Sequence, residues 1–234
     1  MKILLIAGHG QGDPGACANG YQEAVLTREL VGTLSNILRQ YAEVDVFDTS
    51  KNMYKYLKSN KFDFRKYDYV LEVHFNAWDT KAKGVEILIH TSEDVCTVEE
   101  LILKNISRIG FTKREVVSRG DLQNMNICKG SQDVSYALIE TCFIDNVSDM
   151  KLYEANKDKV AQAIADGIIE GFCLKTKDRF KDISNCYGRE HINDLAKMGV
   201  VNGKGDGTFA PKENITREDV AIMVRNAIRY ITGK

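Results

Sequence analysis

The stretch Lys2-Ile3-Leu4-Leu5-Ile6-Ala7-Gly8-His9-Gly10 decides the fold. The apolar run Ile3 to Ala7 shows no polar alternation. That pattern predicts a strand buried on both faces, as in a parallel sheet covered by helices. The run ends in a loop carrying Gly8, Gly10, Gly12 and Gly15, with His9 just past the strand. In an open α/β sheet this carboxyl edge is where ligands bind, because loops and helix starts converge there.

Working outward, further strands are expected at Glu43 to Phe47, Tyr67 to His74, Val85 to His90 and Tyr136 to Thr141. Helical stripes separate them. Ala24, Val25, Leu30, Leu34, Ile37 and Leu38 mark one between Gln22 and Arg39, and Val98 to Ile109 repeats the habit. After Asn156, a candidate helix cap, Val160, Ile164, Gly167, Ile168 and Phe172 share a face. The expected fold is α/β: a mostly parallel twisted sheet with helices on both faces, plus a small α-helical C-terminal module. Apolar periodicity stops at Lys175-Thr176-Lys177-Asp178-Arg179. We therefore expect a first domain over 1–174, a linker over 175–179 and a second module over 180–234. Its two helices, His191 to Met198 and Arg217 to Tyr230, flank the glycine-rich loop Gly199 to Pro211.

The 234 residues suffice for one well-buried core and a small module, and the 44% hydrophobic and 28% charged fractions are those of a globular protein. A formal net charge of −1 provides no general attraction to nucleic acid or to an anionic membrane, and neither is expected as a partner. The charge is uneven, with 12 basic against 8 acidic residues from Lys175 onward. Such a tail suits an anionic polymer, although a solvated charged surface is the plainer reading. No apolar stretch approaches membrane-span length, and Ile3 to Ala7 is shorter than the apolar core of a signal peptide. The expectation is synthesis in the cytoplasm without a signal peptide. Cys17, Cys96, Cys128, Cys142, Cys173 and Cys186 lack the close spacing of thiolate zinc or redox motifs, and are read as reduced thiols.

Three more groups share the edge that holds His9. His74 ends the run Glu72-Val73-His74, Glu140 closes Ala137-Leu138-Ile139-Glu140, and Glu23 opens the helix after the glycine loop. Two imidazoles and a carboxylate suit a catalytic zinc ion, which keeps a fourth position open, and a free carboxylate beside it can move protons. Taken singly, each residue has an ordinary explanation. Glu23 would complement the helix dipole in any case. Glu86 reads as solvent-facing alternation, and Glu72 shares a face with His74 either as its support or as a surface residue. His90 and His191 receive no role.

The string Ile-Ala-Gly-His9-Gly, the helix-opening Glu23, His74-Phe-Asn76-Ala followed by Gly84-Val85-Glu86, and Ile-Glu140-Thr resemble the zinc-dependent N-acetylmuramoyl-L-alanine amidases, over about residues 1–173. The resemblance implies a peptidoglycan hydrolase that cuts between N-acetylmuramic acid and the L-alanine of the stem peptide. By position it implies Zn2+ held by His9, Glu23 and His74, with Glu140 as the catalytic carboxylate. Asn76 would contact substrate or orient its loop. Asn126 to Gln132 carries no recognisable substrate signature. A bacteriophage endolysin is the expected setting, with a bacterial autolysin, a sporulation amidase or another stem-peptide zinc peptidase as alternatives.

In the tail, Phe180-Lys-Asp182-Ile183, Gly199-Val-Val-Asn-Gly203, Asp206-Gly207-Thr208-Phe209 and Ile215-Thr216-Arg217-Glu218 resemble an S-layer homology module. That resemblance implies binding to a secondary cell-wall polymer, with Tyr187 where such modules usually carry Trp and Arg217 as a candidate anion contact. Phe209 and Ile215 are expected as core plugs, and Thr216 as a helix cap completed by Asp219. Such modules usually come in threes, so the single copy is expected to self-associate into a homo-oligomer or to pack on the first domain. Asn202, Lys204, Asp206, Gly207 and Glu213 fall at EF-hand positions, but a lysine at the third opposes calcium.

Overall fold

The apolar run near the start forms β1 (Lys2–Ala7), in which Ile3 to Ala7 are all buried. The structure, a computed structural model, describes residues 1–233. After β1 come β2 (Cys17–Ala18), β3 (Tyr21–Gln22), α1 (Glu23–Leu38), β4 (Glu43–Val46), α2 (Met53–Ser59), β5 (Tyr69–Asn76) and β6 (Val85–His90). They are followed by α3 (Thr97–Ser107), β7 (Lys113–Arg119), α4 (Gln123–Met125), β8 (Ser135–Phe143) and α5 (Val147–Gly171). The main sheet has the order β4-β1-β5-β8-β6-β7 and is parallel except between β6 and β8. The mostly parallel fold read from the sequence is the one observed.

Two apolar layers hold the sheet. Leu26, Leu30, Val31 and Leu34 of α1 pack with Ile102 and Ile106 of α3 and Ile164 and Ile168 of α5 against Ile3, Leu71 and Ile139. The opposite face buries Leu4, Ile6, Val70, Tyr136 and Leu138 beneath Met53, Leu57, Phe64 and Met125. α3 and α5 meet closely at Gly167, where a Cβ would stand 2.7 Å from the backbone nitrogen of Ile102. Gly167→Ala is therefore expected to destabilise the protein by about 1–3 kcal/mol despite alanine's better helix propensity, measurable by denaturant unfolding.

One reading changes here, and one strand is added. α5 starts at Val147, not after Asn156. Asn146 accepts hydrogen bonds from the Ser148 and Asp149 amides at 2.9 and 3.2 Å, capping the helix. Asn156 instead sits at a kink, with φ −139° and its side-chain amide donating to the Leu152 carbonyl at 2.9 Å. An asparagine side chain competes with the backbone ladder, and that competition bends a helix as readily as it starts one. The charged segment Lys113–Arg119 is an edge strand, and charges on an edge discourage pairing with another chain.

The chain divides into two compact units, Met1–Lys175 and 176–234. The second contains α6 (Arg189–Lys197) and α7 (Arg217–Thr232). Phe180, Ile183, Ala196, Val200 and Val201 form its small core, with Phe209 against Phe180 at 5.2 Å between ring centres. Thr216 caps α7 as expected, accepting from the Asp219 amide at 3.0 Å and donating to its carboxylate at 2.7 Å. Ile215 is not a core plug: it is 53% exposed, while Phe209 does pack inward. Its place inside is taken by Met223 and Ala227 of α7. Lys204 pairs with Glu213 within the loop that mimics an EF-hand. Among the described residues, no helix is long and apolar enough to cross a membrane.

Candidate metal centre

His9 stands just past β1 in the left-handed region, with φ 62°. A residue with a Cβ is strained there, so its surroundings must hold it. Arg28 does much of this: its guanidinium donates to the carbonyls of Gly8 and His9, each at 2.9 Å. The His9 ring sits between two carboxylates, Nδ1 at 3.1 Å from Asp13 and Nε2 at 3.0 Å from Glu23.

His74, near the end of β5, repeats the arrangement. Its Nδ1 lies 2.9 Å from Glu23 and its Nε2 3.0 Å from Glu72. Glu23 is thus shared, one oxygen to each ring, and also accepts the amides of Ala16 at 2.9 Å and Phe75 at 3.0 Å. Small residues make the room. A Cβ on Gly8 would come within 2.4 Å of the His74 ring, and one on Gly15 within 2.6 Å of both Glu23 and His9. Ligating atoms of His9, Glu23 and His74 all lie within 4.8 Å of one another.

The electrostatics follow from this packing. Burial opposes ionisation of Glu23, but hydrogen bonds from His74 and His9 outweigh it and hold its pKa far below the carboxylate range. Burial likewise opposes a charge on His74, yet Glu23 and Glu72 raise its pKa well above the usual imidazole value. Glu140 differs in kind. It lies opposite His74 in the β5–β8 register, its Oε2 is buried without a partner among the described residues, and burial pushes its pKa up to about 7.

Residues 3–170 match the family described as N-acetylmuramoyl-L-alanine amidase. The chain belongs to that family. Residues 179–221 match the S-layer homology domain. Among curated relatives, the probable autolysin PH of Staphylococcus aureus is 31% identical over 71% of this chain and 38% of its own length. The amidase LytC of Bacillus subtilis is 30% identical over 71% and 34%, so this chain spans little more than a third of either. The endolysin of Bacillus phage SPP1 is 30% identical over 75% of this chain and 67% of the relative. The fold of the first unit agrees with solved amidases. The CwlD amidase of Clostridioides difficile superposes with a TM-score of 0.62 at 22% identity, covering 74% of this chain and 98% of that one. A putative amidase of Neisseria meningitidis gives 0.60 at 25% identity, covering 75% and 98%.

Within this amidase-family domain, the structure decides between the two readings of Glu72, changes that of Glu86 and adds Asp13. Glu72 is no surface residue: it is 5% exposed and accepts from His74, from the Asn124 amide at 2.9 Å and from the Tyr136 hydroxyl. Glu86 is no simple solvent-facing alternation either. It pairs in register with Glu140, accepts from the Asn76 amide at 2.6 Å and meets Arg114 Nε at 3.3 Å. The β6–β8 pairing, invisible without the topology, turned it toward the site. Asp13 was missed, although an acid four residues from His9 in a glycine loop was the available signal. Asn76 holds Glu86 and accepts from the Ala77 amide at 2.8 Å, which orients its loop. Tyr187 and Arg217 both belong to the second unit and are exposed there. One concave surface of that unit is lined by Gly203, Lys204, Phe209 and Asn226, and neither residue lines it.

If His74 holds a metal, Glu72→Gln is expected to weaken its binding by about 10–100-fold, since a carboxylate behind an imidazole fixes its tautomer and raises its basicity. Competition with a chromogenic chelator measures it. An affinity equal to that of the parent would remove this role.

Proposed function

We propose that the chain hydrolyses the amide joining N-acetylmuramic acid to L-alanine in peptidoglycan, with zinc held by His9, Glu23 and His74. The observation that carries this reading is the Glu23 carboxylate joined to two imidazoles, each backed by a second carboxylate, Asp13 or Glu72. Two nitrogens and a carboxylate, with ligating atoms this close, suit zinc, and the outer acids supply the support such ligands require. Bound there, zinc supplies Lewis acidity to the scissile carbonyl and to the attacking water.

The protein's own residues do the rest. Asp13 and Glu72 keep the two rings turned toward Glu23. Glu140 accepts the proton of the attacking water and returns it to the departing L-alanine nitrogen. A carboxyl group pushed up to about 7 suits both halves of that transfer near neutral pH. Digestion of purified walls should release new amino-terminal L-alanine, and zinc should be recovered at one equivalent per chain. New termini on another residue would refute the bond assignment.

We assign the second unit, over about 180–234 beyond a short linker, to binding a secondary cell-wall polymer, on the strength of its S-layer homology match. Removing 176–234 is expected to reduce sedimentation with purified walls about tenfold or more while leaving soluble muropeptide cleavage in place. Equal sedimentation would refute the anchor. The setting we favour is lytic, as the name of the phage SPP1 relative implies for that protein, with zinc-dependent lysis of walls by added protein as its test.

A further inference from the structure

A line of charge crosses the sheet beside the metal centre. His74 on β5 stands opposite Glu140 on β8, and Glu140 stands opposite Glu86 on β6. Arg114 extends the line onto the edge strand β7 through its Nε contact with Glu86. The register there is irregular: Val85 pairs with Lys113 but Ile87 with Val116, so Arg114 and Glu115 share the place opposite Glu86. Such a bulge re-aims side chains. Here it sets the Arg114 guanidinium 5.2 Å from the centre of the Phe143 ring. Asn76 holds the other oxygen of Glu86 at 2.6 Å.

Arg114 is consequently anchored through Nε and over an aromatic face, while its side chain remains 39% exposed. Its two terminal nitrogens have no hydrogen-bond partner among the described residues. A positioned guanidinium with a free fork is the geometry that binds a carboxylate by two parallel hydrogen bonds.

We infer that Arg114 is a specificity-determining residue that binds the free α-carboxylate of the second, acidic residue of the stem peptide. This rests on the amidase reading above. On the sugar side of the scissile bond, the lactyl ether and muramic ring carry no charge, so a cation has nothing to select there. On the peptide side, the α-carboxylate lies about five bonds, or roughly 6 Å in an extended chain, from the scissile nitrogen. β7 lies two strands, roughly 10 Å, from the backbone of Glu140. The arginine side chain, leaning back over Phe143, covers the difference. Amidation of that second residue removes the charge and leaves only neutral hydrogen bonds, so amidated stems should be poorer substrates.

The test uses the full zinc-loaded chain and two soluble muropeptides that differ only in whether the second residue bears a carboxylate or an amide. The parent should prefer the carboxylate in kcat/KM, and Arg114→Ala should reduce the carboxylate-to-amide ratio about tenfold, mainly through KM. Arg114→Lys should recover part of the ratio. Affinity for the released stem peptides, measured by calorimetry, should show the same preference and the same loss. Arg114→Ala/Glu86→Gln should retain the loss; a restored preference would mean that the single variant acted only by unmasking Glu86, and would overturn the inference. A parent without preference, or equal losses on both substrates, would also overturn it. Cleavage of neither substrate at the L-alanine amide by the parent would instead overturn the amidase reading.

Discussion

On the proposed roles, in which Glu140 carries protons and is not a ligand, Glu140→Gln is expected to lower kcat on peptidoglycan by about 10²–10⁴-fold while leaving the zinc content unchanged. The same change should alter stability in the opposite sense. The pKa of Glu140 is raised from an ordinary 4.5 to about 7, chiefly by burial. A carboxyl group raised in this way is fully tolerated below its unfolded value. Its ionised form then costs stability progressively as pH rises from 4.5 to about 7, and the cost is complete above that. The glutamine variant does not carry this penalty. In metal-free protein at pH 8 it should exceed the parent by up to about 3 kcal/mol, less whatever relief the cleft-facing part of the side chain gains from water. Turnover assays beside denaturant unfolding at pH 5 and pH 8 check both halves. A slow enzyme with no stability gain would mean that Glu140 is better solvated than its buried oxygen implies.

How far the sequence disclosed this site depended on how local each signal was. Ile3 to Ala7 could be read as a central strand because five apolar residues without alternation have few other uses, and His9 followed from its end. His74 and Glu140 each close or interrupt an apolar run, so their shared edge could be inferred without knowing that they are direct register partners. Glu86 could not be placed in that way. It faces Glu140 only because β6 runs antiparallel beside β8, a long-range pairing with no trace in local periodicity. Arg114 needed still more, since its direction depends on a bulge in an edge strand that the charged sequence concealed. In the tail, Thr216 and Asp219 carried a three-residue capping pattern that is complete in itself, whereas Ile215 lost its expected burial to residues of α7.

Glu23 is where structural and chemical roles meet, and Glu23→Ala should show both. Zinc retention should be lost and wall cleavage should fall to background, because the carboxylate proposed as a ligand and shared by both imidazoles disappears. The metal-free fold should also weaken by about 3 kcal/mol near pH 5.5, as expected when one partner of a buried ion pair is removed and the other charge is left behind. The pH dependence has two limbs. The pKa of Glu23 is depressed from 4.5, so its contribution is present above that value and is lost as pH falls through its lower folded pKa. Those of His9 and His74 are raised from 6.5, so their contribution is complete below that value and fades as pH rises through their folded pKa values. The deficit of the variant should therefore be greatest between about pH 4.5 and 6.5 and should shrink on both sides. Unfolding of chelator-treated parent and variant from pH 4 to 9 measures it. A deficit independent of pH would assign the loss to the Ala16 and Phe75 amides left without their acceptor, and not to the paired charges.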